Sequence, residues 1–498
     1  MARQLGRISG RFSKEAFNHG LRLGKHGQRQ YAKNADLFPQ RLVLPDDHGY
    51  VPTLSPLQVT SLLAVNETSL ENTTNNILHE IKGYESNQLG SNFPCEDRRR
   101  QARLAHTNGT LYAVYDGHGG LACAQAVSER LFEYIAVSLL PVEKQEEYSH
   151  SLKTDSGMEL LQWHYNNNDY SNEEMSSLHR NSLQKFVINN LSTAGFMDTD
   201  GEEDLVAQAL QAAFVQLDSD MSAEALPLGG SLNLEALEVG LSGACGTVAH
   251  INDLDVHVAS LGDCRAVIGQ IDNNGNWIAK PLTRDHSINC PDEVDRLKSS
   301  HPTSEHNFVI KNNRLLGQLI PTRAFGDFRF KWSNSDLKNV VKILDSPYAQ
   351  NLIPMNYYSP PYLYNVPDVV HHKLTANDRF LILATDGLWD TMSSSDAVRL
   401  VGEYLEGKET DEKFRLRDRT LSIGNINDLL QKRKQGLANK STDQNSATHL
   451  IRNGLGKEHR KVSEMLTITP EVVRYYRDDI TVTVIFFDER YMQQRADE

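Results

Sequence analysis

The chain has 498 residues, 39% hydrophobic and 23% charged, with 32 Gly and 17 Pro, a globular composition that excludes a collagen, a mostly disordered chain and a coiled coil. Five cysteines without a CxxC pair argue against a disulfide scaffold and a zinc ribbon, and no run approaches the roughly 20 apolar residues of a membrane helix. The net charge of −14 is uneven, because residues 1–41 carry nine basic residues against Glu15 and Asp36 while the remainder is strongly acidic; an acidic body repels phosphate backbones, which excludes nucleic acid as a partner.

In chain order, the basic N-terminus alternates with Leu5, Ile8, Phe12, Phe17, Leu21 and Leu23. Arg-rich, acid-poor, weakly amphipathic segments of this kind resemble mitochondrial transit peptides, so residues 1–45 are set aside from the fold. Helical periodicity follows at 57–66, 121–139, 204–218, 291–299, 396–406 and 446–453. Pro291 and Ser395 serve as start signals. Buried strands are expected at 111–115, 256–261, 265–271, 380–384 and 481–487, runs rich in β-branched and aromatic residues. The pair around Gly262-Asp263-Cys264 reads as a hairpin with an acidic turn. Three stretches read as insertions: 141–202, polar and Asn-rich; 342–368, rich in Pro and Tyr; and 407–445, charged. Without a regular βαβ repeat, the class is α+β, with antiparallel sheets flanked by helices in one catalytic domain over 50–490.

The chemistry gathers where strands stop. The strand at 111–115 runs into Asp116-Gly117-His118-Gly119-Gly120, and the strand at 380–384 into Thr385-Asp386-Gly387. Asp263 ends another strand, and Asp478-Asp479 precedes the last one. An Asp-Gly after a strand is usually only a turn, and a lone charge pair is usually solvated. Four apolar strands that each present Asp at a tip are another matter. Carboxylates and a backbone carbonyl are the hard oxygen ligands that magnesium and manganese take, and clustered carboxylates repel one another unless cations neutralise them.

These motifs, with Glu96-Asp97, Ser242-Gly243-Ala244-Cys245-Gly246-Thr247 and Thr322-Arg323-Ala324-Phe325-Gly326-Asp327, resemble in content and order the metal-dependent Ser/Thr protein phosphatases (PPM). That resemblance covers about 95–487. It implies a central sandwich of two antiparallel β-sheets flanked by helices, with a site for two Mg2+ or Mn2+ ions at one end. It implies that Asp116 bridges both metals, Gly117 offers its carbonyl to one, and Asp386 and Asp478 ligate the other. Glu96 would act through metal-bound water with Asp97 behind it, and Asp263 would hold a weak third metal. His118 matches the residue that protonates the leaving alkoxide, work that suits an imidazole near neutral pH. Gly243, Gly246 and Thr247 are expected to permit close packing, and Arg323 and Asp327 to form a buried structural pair. Where many relatives carry a phosphate-binding Arg this sequence has Asn92, so Arg98, Arg99 or Arg100 are the candidate substitutes, against the alternative of a solvated basic run.

Further stretches, among them residues 84–89, 123–131, 161–164 and 443–452, resemble the branch of that family that acts on mitochondrial pyruvate dehydrogenase. The resemblance implies phosphorylated pyruvate dehydrogenase as substrate, the lipoyl domain of the acetyltransferase core as a docking partner, a regulatory subunit, and the mitochondrial matrix as location. The alternatives are a family member acting on another mitochondrial phosphoprotein and an inactive phosphatase-like scaffold. Retention of Asp116, His118, Asp386 and Asp478 favours activity. A kinase is excluded by the lack of a GxGxxG loop or a His-Arg-Asp segment.

Overall fold

A computed structural model describes residues 53–72, 79–154, 158–165, 173–193, 204–346, 348–411, 423–438 and 441–497. The transit-like segment lies outside them. In chain order the strands are β1 (Thr68–Glu71), β2 (Ile81–Leu89), β3 (Arg98–Leu104), β4 (Thr110–His118), β5 (Leu161–Tyr165), β6 (Gly243–Asn252), β7 (Asp255–Leu261), β8 (Arg265–Ile271) and β9 (Trp277–Pro281). They continue with β10 (Ile310–Lys311), β11 (Arg314–Leu315), β12 (Phe325–Gly326), β13 (Asp368–Lys373), β14 (Asp378–Ala384) and β15 (Ile480–Phe487). One sheet has the order β1-β2-β15-β14-β8-β9. The other runs β13-β7-β6-β4-β3-β5, with β12 paired to β6. All these pairings are antiparallel.

The period-2 alternation of a strand assigns each face to its own layer. In β4, Tyr112 and Val114 enter the layer between the sheets with Ala249, Val258, Ile268, Leu381 and Ile485. Leu111, Ala113 and Tyr115 point the other way, into a cluster shared with Leu131, Phe132, Phe214 and Leu217, on the helices Ala122–Leu139 and Leu205–Ala225. On the far side Phe380, Ile382, Val482 and Val484 pack with Val59, Val398, Val401 and Leu450, from helices Pro56–Leu63, Ser394–Asp411 and Ser446–Gly454. The result is a four-layer sandwich, helices outside and two sheets within.

Local chemistry sets the helix starts. Ser55 and Gln58 form a capping box ahead of Pro56, Pro291 opens Pro291–Ser300, and Asn445 caps Ser446–Gly454. The serine that caps Ser394–Asp411 is Ser393, whose Oγ accepts from Asp396 N at 3.1 Å, rather than Ser395.

Two expectations are corrected. The segment Gly262-Asp263-Cys264 is not a hairpin, because β7 and β8 lie in different sheets. It is the crossover between them, with Gly262 at φ +104° where a side chain would collide with Cys245. The insertions also carry structure. Residues 141–202 supply two helices and the edge strand β5, and the Tyr-rich stretch buries Tyr357, Tyr362 and Leu363 in the main core.

Candidate active site and metal centre

Both sheets deliver carboxylates to the same end of the sandwich. β4 ends in Asp116, Gly117 and His118, paired with Cys245, Ala244 and Gly243 of β6. Asp263 sits in the crossover from β7 to β8. Asp386 opens the single helical turn Asp386–Trp389 just after β14. Asp478 and Asp479 lead into β15, which pairs with β14 from Ala384↔Val482 onward. Glu96 and Asp97 lead into β3.

Within this end, Asp116, Asp263 and Asp386 each place a ligand atom within 4.8 Å of the others. Asp263, expected to hold a weak third metal, therefore lies in one group with Asp116 and Asp386. Asp478 stands outside that group, exposed at the rim. Burial first, and then Asp97, Asp386 and Asp263, push the Asp116 carboxyl well above its ordinary range. Burial, with Asp263 and Asp478 nearby, raises Asp386 to about 7. Glu96 is also raised to about 7, by burial and by Asp479. Burial raises Asp263 and Asp478 in the same direction. So many acids held against their ionised form make a site that divalent cations could complete. The Oδ1 atom of Asp386 is buried without a hydrogen-bond partner, as a metal ligand's lone pair would be. The residues present fit the magnesium or manganese donor set.

Asp97 is of a different kind. It is fully buried, and its Oδ2 accepts from Thr481 Oγ1 at 2.7 Å and Thr385 Oγ1 at 2.9 Å, tying the starts of β3 and β15 to the end of β14. Asp479 is the other hub. Its carboxylate accepts from the backbone N–H groups of Ser91, Asn92 (2.8 Å) and Glu96 (2.7 Å). The loop that carries Glu96 is thereby held by the residue next to Asp478.

Glycines allow the close approach. A side chain at Gly117 would strike the Glu96 carbonyl, and one at Gly243 would strike both His118 and Asp327. The last contact marks a pairing that sequence reasoning missed. His118 Nε2 lies 2.6 Å from Asp327 Oδ2, with the imidazole 29% exposed and the carboxylate buried. Burial is the largest influence and disfavours the charged ring, but Asp327, with Asp263 and Glu96 behind it, holds the His118 pKa above its ordinary value. The expected Arg323–Asp327 pair is not formed. Arg323 binds Glu293 at 2.5 Å and Asp368 at 2.8 Å, while Asp327 turns to His118. The left-handed backbone of Asp327, φ 49°, aims its side chain there. The Gly-Asp pair was legible; a partner 209 residues away was not.

The phosphate-binding expectation is also corrected. Arg98 gives its N–H groups to Gln125 and to the carbonyls of Cys95 (2.9 Å) and Asp97 (2.6 Å). Arg99 is buried against Ser86 Oγ (2.6 Å) and Asn66 O (2.5 Å), and Arg100 against Ser128 O. Side chains alternate along β3, but both of its faces are covered, so each guanidinium is consumed inside the fold. Asn92 donates to Asp479 Oδ2 at 3.2 Å. An exposed cation near the acids is Arg474. It attracts both Glu96 and Asp478. Its guanidinium lies 5.7 Å from the Tyr475 ring centroid.

Comparison with known proteins settles the family. The protein phosphatase 2C profile matches residues 166–429. The chain is 43% identical over 453 residues to bovine mitochondrial pyruvate dehydrogenase (acetyl-transferring) phosphatase 1, covering 87% of this chain and 83% of that one. The chain belongs to the protein phosphatase 2C family. A second relative, human mitochondrial pyruvate dehydrogenase (acetyl-transferring) phosphatase 2, is 40% identical over 450 residues, 87% of this chain and 84% of that one. Among solved structures, a serine-threonine phosphatase 2C from Toxoplasma gondii aligns with a TM-score of 0.44 and 18% identity, over 85% of this chain and 98% of that one. As a protein phosphatase 2C the chain is a metal-dependent serine/threonine phosphatase. The profile match begins after Asp116 and ends before Asp478, so these two positions rest on the geometry above.

Proposed function

We propose that this protein hydrolyses phosphoserine on the pyruvate dehydrogenase component in the mitochondrial matrix, using two Mg2+ or Mn2+ ions. The reading is carried by one observation, the 43% identity over 87% of the chain to a phosphatase of that enzyme. The +7 balance of residues 1–41 supports import. Docking on the lipoyl domain of the acetyltransferase core and control by a regulatory subunit belong to the same reading and rest on the resemblance of the sequence.

Asp116, Asp386 and Asp263 would hold the cations, with Asp478 at the rim, Glu96 acting through water and the Gly117 carbonyl beside them. When bound, these ions supply Lewis acidity to the phosphoryl group and to the attacking water. The chain's own groups do the rest. Arg474, which among the described residues has neither a hydrogen bond nor an ion pair, attracts and orients the phosphoryl oxygens in place of Asn92. His118, kept protonated by Asp327, donates its proton to the serine oxygen as the P–O bond breaks. Asp97 and Asp479 hold the Glu96 loop rigid throughout.

The test is phosphate release from phosphorylated pyruvate dehydrogenase by the full-length protein, with magnesium and with EDTA. Release that EDTA abolishes is expected. Release from other mitochondrial phosphoproteins but not from pyruvate dehydrogenase would reassign the substrate, and no metal-dependent release from any would leave the scaffold reading.

A further inference from the structure

Away from the acidic end, three neighbouring strands place histidines in one row. His250 of β6 is directly opposite His257 of β7, and His257 is directly opposite His371 of β13. Residues opposite each other in antiparallel strands share a face, and the parity of β7 puts this row on the same face as Ala259 and Leu261, under the helix Leu205–Ala225. The rings of His257 and His371 stack with centroids 4.4 Å apart, and those of His250 and His257 lie 6.2 Å apart. Asp204, the N-cap of that helix, closes the group: its Oδ1 accepts from Ala207 N at 3.0 Å, and its Oδ2 lies 3.0 Å from His257 Nε2. Asp255 Oδ1 lies 2.7 Å from His371 Nε2.

Three features set this cluster apart from ordinary packing. Asp204, His257 and His371 each offer a ligand atom within 4.8 Å of the others. His257 is only 6% exposed and His250 only 3%, yet the Nδ1 atom of each is buried without a hydrogen-bond partner. A neutral imidazole is the form that binds metal. Two imidazoles and a carboxylate are borderline donors, unlike the all-oxygen set at the catalytic end.

We propose that Asp204, His257 and His371 form a second metal site, selective for a transition ion such as Zn2+, with Asp255 as the outer partner that orients His371. The site is separate from the catalytic centre: Asp263 is six residues further along the chain from His257, about 20 Å at strand rise. Zinc bonds of about 2.0–2.2 Å put tetrahedral ligand atoms roughly 3.3 Å apart. The two exposed side chains, Asp204 and His371, close that gap by changing rotamer. A zinc ion there would clamp the start of the helix Leu205–Ala225 to β7 and β13, and so fix one edge of the second sheet.

The experiment uses the full-length protein with magnesium in excess, so that the oxygen-ligand site is occupied. Zinc affinity is measured by chelator competition, and Co2+ is then substituted to read the ligand field. The wild type should hold one zinc that magnesium does not displace, with the strong visible absorption of tetrahedral, imidazole-bound cobalt. His371→Ala and Asp204→Asn, both at exposed positions outside the catalytic machinery, should each weaken zinc binding roughly 10- to 100-fold and lose that absorption, while phosphatase activity stays at the wild-type level. Zinc should raise the melting temperature of the wild type and not of His371→Ala. The proposal is overturned if the wild type holds no magnesium-resistant zinc, or if His371→Ala and Asp204→Asn bind it with the same affinity and cobalt spectrum.

Discussion

Replacing Asp327 with Asn tests the catalytic reading at its most specific point. The substitution keeps the shape of the side chain, and Asn tolerates the left-handed backbone found at this position, φ 49°. The fold should therefore survive. What changes is the charge 2.6 Å from His118 Nε2. Burial is the largest influence on the His118 ring and acts against its protonated form; Asp327 is the first influence that opposes it, with Asp263 and Glu96 behind. Asp263 and Glu96 are themselves spoken for when cations are bound. Without the Asp327 carboxylate the balance reverts to burial, and the ring is neutral at pH 7–8. A lost general acid costs about 10²–10⁴ in rate, or about 3–5 kcal/mol in barrier. The loss should appear on a phosphoserine protein, whose alkoxide leaves poorly, and be much smaller on p-nitrophenyl phosphate, whose leaving group needs little protonation. His118→Gln should give the same contrast. Gly243→Ala should approach it by a different route, because its new methyl would strike both partners. Turnover of the two substrates is compared at saturating manganese. Equal losses on both, together with weaker metal binding, would show that His118 and Asp327 merely shape the Asp116 loop.

Other expectations follow from the same end of the molecule. Asp386→Asn should weaken metal binding and cut turnover by orders of magnitude without unfolding the protein; near-normal activity of the folded variant at limiting magnesium would remove Asp386 from the ligand set. Glu96 and Asp386 titrate near 7 in the metal-free protein, well above their unfolded values, so the folded state binds more protons than the unfolded one between about pH 4.5 and 7. In EDTA, stability should thus fall as pH rises from 6 to 8, and magnesium should reverse the trend, in melting curves at both pH values; a metal-free protein more stable at pH 8 would contradict the assigned burial of these acids. Arg474→Ala should raise KM for the phosphoprotein about tenfold at constant stability, one charge-assisted contact being worth roughly 1.5–3 kcal/mol. Arg98→Ala should do the reverse, lowering the melting temperature with little change in KM, and the opposite pattern would return phosphate binding to Arg98.

Much of the architecture could be read from residue patterns because burial on both faces leaves nearly unbroken apolar runs. That is why β4, β7, β8, β14 and β15 fall within three residues of their expected limits. The helices were legible from periodicity, as Ala122–Leu139 and Ser446–Gly454 show. What the sequence could not display was partnership. Nothing local distinguishes a Gly-Asp hairpin from a crossover; the distinction lies in β7 pairing with β6 and β13 while β8 pairs with β9 and β14. Charges have the same ambiguity. Three consecutive arginines on β3 read as an exposed basic run, yet Arg99 and Arg100 are folded inward onto Asn66, Ser86 and Ser128, and Arg98 bonds Gln125 and the carbonyls of Cys95 and Asp97. Asp478 and Asp479 are adjacent and chemically identical, but one is exposed and the other buried as an anchor for backbone N–H groups.

The position of β15 has a consequence for how such a chain becomes active. This strand lies in the interior of its sheet, between β2 and β14, although it is the last of the described strands to be synthesised. β2 precedes this neighbour by some 390 residues, so the first sheet stays open until nearly the whole chain is available. Such long-range pairing is slow to form. It also places Asp478 and Asp479 at the end of the process, so a product that stops short of residue 478 lacks both a rim carboxylate and the anchor of the Glu96 loop. Hydrolytic competence is thereby tied to completion of the chain.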